Sequence, residues 1–163
     1  MYRILFVCHG NICRSPMAEF IFKKLAQDAG LSSRFTVASA AVSDEEIVCG
    51  VGNPVYPPAR RELLRHGIDP GDKRAAQLKK EDYDKWDLFA VMDDSNLRRA
   101  ERIFGADPEN KVRLLSSFTD GKEIADPWYT GDFGTAYRDI ERGCKALLAA
   151  KAPQRNSPDG ERN

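Results

Sequence analysis

No apolar run in this 163-residue chain approaches the roughly 18 residues that a membrane-spanning helix needs. The opening residues also lack the basic region and cleavage pattern of a secretory signal. The expectation is therefore a soluble, cytoplasmic protein that does not engage a membrane. Charge of one sign is missing too: Lys plus Arg and Asp plus Glu stand at 25 each, so no overall basic surface points to nucleic acid. Only four cysteines and two histidines occur. They are too few and too scattered for a secreted disulfide framework, and with no Cys-x2-Cys pair and His9 far from His66, no metal-ligand set is expected. No cofactor motif and no internal repeat is evident. The single low-complexity stretch, residues 152–163, is polar and rich in Pro, Gly, Asn and charge, and is expected to be disordered. Residues 1–151 are then one domain of ordinary size.

The informative stretch is Cys8-His9-Gly10-Asn11-Ile12-Cys13-Arg14-Ser15-Pro16. Before it, Tyr2 to Val7 is a short apolar run that reads as a buried strand. After it, Ser15 as N-cap and Pro16 at the first helical position open a helix carrying Met17, Ala18, Ile21, Phe22 and Leu25 at helical spacing. A turn between strand end and helix start gathers main-chain N–H groups at one point, where the helix dipole adds positive potential. Arg14 can clamp two phosphate oxygens. A thiol at Cys8 in that field favours its thiolate form, which would face a bound phosphoryl group as a nucleophile.

Further along, strands are expected over 35–39, 88–92 and 111–115, and helices over 57–66, through Ile103 with Ser95 as the cap, and over 133–151. Alternating strands and helices imply an α/β fold: three layers, a four-stranded parallel sheet with helices on both faces, and the phosphate-holding loop between the first strand and first helix. Active sites in such sheets lie beyond the carboxyl ends of the strands. That rule brings Cys8, residues 39–46, residues 93–96 and the Asp126 loop to one rim. Asp126 precedes Pro127, which restricts it to extended backbone, and Trp128-Tyr129 offer aromatic walls. A carboxylic acid there can protonate a departing phenolate. Cys144, in the last helical pattern, reads as a small buried apolar residue.

Cys-x5-Arg-Ser, with Asp126-Pro127-Trp128-Tyr129, resembles the low-molecular-weight protein tyrosine phosphatases, whose pattern extends over about residues 1–150 through Ser39-Ala40-Ala41, Asn53-Pro54, His66-Gly67-Ile68 and Met92-Asp93-Asp94-Ser95-Asn96. The resemblance implies hydrolysis of phosphotyrosine in proteins or peptides through a cysteinyl-phosphate on Cys8. Arg14 and the amides of residues 9–13 would hold phosphate and Asp126 would be general acid and base, with no metal or cofactor. It further implies that Ser15 donates to the Cys8 thiolate, that Asn11 braces the loop with His66 as its partner, that Asp93 ties a strand end to the loop or caps a helix, and that Cys13 can pair reversibly with Cys8 under peroxide. Ile12 would floor an aromatic slot, where related arginine phosphatases carry threonine, and His9 is the variable loop position. A monomer is expected, and aromatics such as Trp86 serve either a weak self-association patch or simply the core. The pattern departs at Val48-Cys49-Gly50-Val51, an insertion of about four residues in a loop that forms one wall of the cleft, with Glu45 or Glu46 where an aromatic is usual. The alternatives are an arsenate reductase of the same fold, disfavoured because residues 69–90 hold no cysteine for an electron relay, and a thiol-redox-regulated anion-binding protein.

Overall fold

The computed structural model describes residues 1–153; the polar segment expected to be disordered lies, from residue 154 on, outside the described residues. The first strand, β1 (Tyr2–Cys8), is apolar on both faces. Ile4, Phe6 and Cys8 point into one core and Leu5 and Val7 into another, as the period of two requires of a strand covered on both sides. Helix α1 (Arg14–Asp28) leads to β2 (Phe35–Ala41), which pairs with β1 in parallel from Tyr2↔Phe35 to Cys8↔Ala41. The insertion folds as a two-stranded hairpin, β3 (Ile47–Val48) and β4 (Val51–Gly52). Cys49 and Gly50 at its tip both have positive φ, the conformation that a tight two-residue hairpin turn demands.

Helix α2 (Pro57–Arg65) precedes β5 (Leu88–Val91), helix α3 (Asp94–Phe104) and β6 (Val112–Leu114). A short helix α4 (Pro127–Thr130) and a long α5 (Phe133–Lys151) complete the chain. The sheet order is β2-β1-β5-β6, with every pairing parallel. Helices α1, α2 and α5 pack on the Ile4–Phe6 side, and α3 covers the Leu5–Val7 side together with Tyr83 and Trp86. The chain reverses its direction across the sheet between β1 and β5, which opens a crevice at their carboxyl ends.

Two local expectations are corrected, and for Trp86 the core alternative is the one found. Helix α1 begins at Arg14, with Cys13 in the cap position and no side-chain cap; the Ser15 hydroxyl is drawn to Cys8 instead. Helix α3 is capped by Asp93 and not by Ser95, because Asp93 Oδ1 accepts from the Asn96 N–H. Trp86 is half-buried against the α3-side core, and the exposed aromatics are Trp128 and Tyr129. Among the described residues no helix is long and apolar enough to cross a membrane.

Gly143 sets how closely α5 approaches the turn at residues 115–118: a Cβ there would lie 2.6 Å from Leu115 Cγ. Gly143→Ala gains up to about 1 kcal/mol of helix propensity but overpacks a rigid core at a cost of about 1–3 kcal/mol. The expected outcome is a lower denaturant midpoint at unchanged slope, and a smaller further loss when Gly143→Ala is introduced into a Leu115→Ala background that already has the space.

Candidate active site

Site geometry starts where the sheet ladder runs past its strands. Beyond Cys8 the chain keeps its register with the segment after β2, Val42 N–H donating to the Cys8 carbonyl and Ser43 N–H to that of His9, both at 3.0 Å. The loop then turns on Asn11, whose φ of 58° is left-handed. Asn tolerates that region better than other residues with a Cβ, and here its side chain is fixed at both ends. Oδ1 accepts from Ala76 N–H at 3.0 Å and Nδ2 donates to Ser15 Oγ at 2.7 Å. The Ala76 segment is itself laced to β2, since Ala41 N–H donates to the Ala76 carbonyl and Leu78 N–H to that of Ala41.

This network gives Ser15 a direction. Because Asn11 donates into Ser15 Oγ, the hydroxyl proton is free to point at Cys8 Sγ, 3.0 Å away. Asn11 N–H donates to the same sulfur at 3.3 Å. Two donors aimed at one buried sulfur favour negative charge on it. The N–H groups of Gly10, Ile12 and Cys13 find no protein acceptor among the described residues. Main-chain donors in a protein interior are nearly always paired, so these fit an anion that completes them. Gly10 belongs here because a Cβ would crowd Glu46 Cγ at 3.0 Å.

Arg14 is 2 % exposed. Its Nη1 donates to Asp93 Oδ2 at 2.8 Å and to the Ile124 carbonyl at 2.7 Å, and Nη2 reaches Asp126 Oδ2 at 3.4 Å. Burial opposes its charge, but Cys8, Asp93 and Asp126 more than offset that and hold the guanidinium above its usual range. With Nη1 fully engaged, the Nε/Nη2 edge remains for a bidentate contact. Asp93 is therefore both alternatives at once, a helix cap through Oδ1 and the anchor of Arg14 through Oδ2.

Asp126 caps α4, Oδ1 accepting from Trp128 N–H at 3.0 Å, which turns Oδ2 toward Arg14. Cys8, Gly10, Ile12, Cys13, Arg14 and Asp126 line one cleft, whose mouth carries His9, Glu45, Glu46, Trp128 and Tyr129. Trp128 packs on Tyr56 with ring centroids 4.8 Å apart. Ile12 joins Cys13 and Ala75 in a small apolar cluster beneath. All four cysteines are free thiols, and burial, with Cys8 and Asp126 nearby, pushes the Cys13 thiol far above its ordinary range. Cys144 is fully buried.

His66 is not Asn11's partner. It stacks on Tyr137 with centroids 3.7 Å apart and bonds Glu62 at 3.3 Å, because the end of α2 faces α5 and not the loop. Burial, with Glu141 and Glu62 nearby, pushes the Tyr137 phenol up to about 12. Sequence reasoning missed Glu19, which accepts from Ser39 Oγ at 2.6 Å and lies 3.8 Å from Lys73. Lys73 also donates to the Ser39 carbonyl, and burial, only partly opposed by Glu19, lowers its pKa. An acid among apolar neighbours on α1 was the one available signal. Nothing in the sequence marked Arg99, whose Nη1 meets His9 Nδ1 at 3.0 Å, or the Tyr56 support of Trp128.

Comparison with known proteins places this geometry. The sequence model of the family "Low molecular weight phosphotyrosine protein phosphatase" matches residues 3–157. The human protein of that name is 42 % identical over 151 residues, covering 89 % of this chain and 92 % of the relative. The crystal structure of YfkJ from Bacillus subtilis superposes with a TM-score of 0.86 at 34 % identity, covering 92 % of this chain and 94 % of that one. Vibrio vulnificus Wzb, solved in complex with benzylphosphonate, gives a TM-score of 0.77 at 28 % identity over 91 % of this chain and 98 % of its own. On these matches, the chain belongs to the low-molecular-weight phosphotyrosine protein phosphatase family.

Proposed function

We propose that this protein is a protein tyrosine phosphatase that hydrolyses phosphotyrosine in proteins or peptides through a cysteinyl-phosphate, acting as a cytoplasmic monomer without metal or cofactor. The observation that carries the reading is the convergence of two donors on Cys8 Sγ, beside loop amides that lack acceptors and a buried Arg14 whose Nη1 is anchored by Asp93 and the Ile124 carbonyl. In the first step Cys8 Sγ forms a bond to phosphorus as the bond to the phenolic oxygen breaks, and Asp126, protonated, gives its proton to the leaving oxygen. Arg14 and the amides of residues 9–13 hold the equatorial oxygens throughout, their geometry set before substrate arrives. In the second step Asp126 takes a proton from water as the water oxygen bonds to phosphorus, the S–P bond breaks and the thiolate returns.

Residues 128 and 129 suit a flat substrate: Trp128 and Tyr129 stand 52 % and 84 % exposed at the mouth, where a ring can stack on them. Ile12 floors the slot. Asn11 and Ser15 support the sulfur, Cys13 packs beneath it as a protonated thiol, and Asp93 positions Arg14.

Wild type in reducing buffer with chelator is expected to release phosphate from phosphotyrosine, and far less from phosphoserine or phosphoarginine. Cys8→Ser abolishes that release; hydrolysis that survives in Cys8→Ser, or that stops with chelator, contradicts the reading. Asp126→Ala is expected to cost about 10²–10⁴-fold in kcat on aryl phosphates with poor leaving groups and much less on good ones. Equal losses on both would remove Asp126 as the acid. Asp93 separates its two tasks: Asp93→Asn keeps the cap and Asp93→Ala loses about 1 kcal/mol of stability. Both variants lower kcat/KM by about 10–100-fold through Arg14. Thermal melts and steady-state kinetics on the pair check this.

A further inference from the structure

The phosphate cradle treats every aryl phosphate alike, so any choice among phosphotyrosine segments rests on the mouth of the cleft. His9, the residue after the nucleophile, is held at both ring nitrogens by side chains from two other elements. Arg99 Nη1, on α3, meets Nδ1 at 3.0 Å, and Nε2 meets Glu45 Oε2 at 2.9 Å. A guanidinium can only donate, so Nδ1 must be the bare acceptor; the ring proton is then on Nε2 and is donated to Glu45. Chemistry alone fixes the tautomer.

The consequence is a placed charge. Glu45 is an exposed carboxylate on a loop, yet one of its oxygens is tied to a ring that is itself tied to α3. Its Oε1 has no partner among the described residues. Glu46 repeats the arrangement, with Oε2 accepting from Asn53 Nδ2 at 2.8 Å. Arg14, the one Lys or Arg lining the cleft among the described residues, is buried and engaged by Asp93, the Ile124 carbonyl and Asp126. The mouth therefore offers two oriented carboxylates, while Arg99 is engaged by the His9 ring. We infer that Glu45 and Glu46 select phosphotyrosine flanked by Lys or Arg, and that Arg99 is a positioning residue which acts through His9 to hold Glu45 for that contact. This rests on the phosphotyrosine reading above.

The test uses two phosphotyrosine peptides that differ only in Lys or Asp on both sides of the phosphotyrosine, with a small aryl phosphate as control. At low ionic strength wild type is expected to favour the Lys peptide about fivefold in kcat/KM, carried by KM, and the preference should shrink in 0.5 M salt because exposed charges are screened. Glu45→Lys reverses the order. Arg99→Met leaves turnover of the small aryl phosphate unchanged and narrows the Lys-to-Asp ratio about threefold. It also converts the His9 imidazole ¹⁵N signals from one tautomer to a mixture. Equal rates on the two peptides, or a ratio indifferent to Glu45→Lys, overturns the selection by charge. A ratio that widens in Arg99→Met, or an unmoved tautomer, overturns the positioning role. Failure on the small aryl phosphate as well would instead overturn the phosphotyrosine reading.

Discussion

One buried guanidinium organises the site. Placing a cation at 2 % exposure is costly unless every direction around it is answered. Arg14 is answered from three separate stretches of chain: Asp93 at the end of β5, the Ile124 carbonyl, and Asp126 at the start of α4. Parallel topology makes this possible, because it brings the ends of β1 and β5 together while the chain after β6 returns across them. Each of these contacts also serves the fold: Asp93 caps α3, Asp126 caps α4, and Ile124 N–H donates to the Met92 carbonyl. The catalytic geometry is thus held by bonds that the helices need anyway.

The loop in front of Arg14 follows a complementary logic. Arg14 meets acceptors from three stretches of chain, whereas the loop is over-supplied with donors: Asn11 N–H and the Ser15 hydroxyl on the sulfur, and amides at Gly10, Ile12 and Cys13 without acceptors. Asn11 holds this arrangement against its own left-handed backbone, because both ends of its side chain are claimed. Strain of about 1–3 kcal/mol at one residue is tolerated where neighbouring bonds over-determine the turn.

Much of this was legible in the sequence, for identifiable reasons. The strands β1, β2, β5 and β6 are short and mostly apolar, with polar residues only at Arg3, Thr36, Ser39 and Arg113, so strand type and a parallel sheet followed from their alternation with helices. The loop was legible because Cys8, Gly10, Arg14 and Ser15 lie within eight residues, where local turn chemistry decides the contacts. What failed depended on distant pairs. His66 precedes a helix-ending glycine, but whether it faces the loop or α5 is set by how those helices pack, and the Tyr137 ring captured it. Ser15 looked like a cap by position; a thiol 3.0 Å away was the stronger claim on its hydroxyl. Arg99 and Lys73 carried no mark at all, since an isolated basic residue acquires meaning only from what the fold sets beside it.

The two cysteines of the loop show what the fold adds to composition. Cys8 and Cys13 are both almost wholly buried and lie five residues apart. Burial alone penalises a thiolate at either position. At Cys13 the Arg14 charge is outweighed: apolar Ile12 and Ala75 lie against the thiol, Cys8 and Asp126 add negative charge to the cost of burial, and the group is driven far above its ordinary range. At Cys8 an amide, a hydroxyl and the Arg14 charge converge on the sulfur. Reactivity here is therefore decided by donors and not by exposure, and the donors are fixed by Asn11 and Ser15. The same argument explains why the proposed nucleophile stands at a strand end: the strand places the sulfur, and the turn that must follow supplies the N–H groups that a strand would have paired.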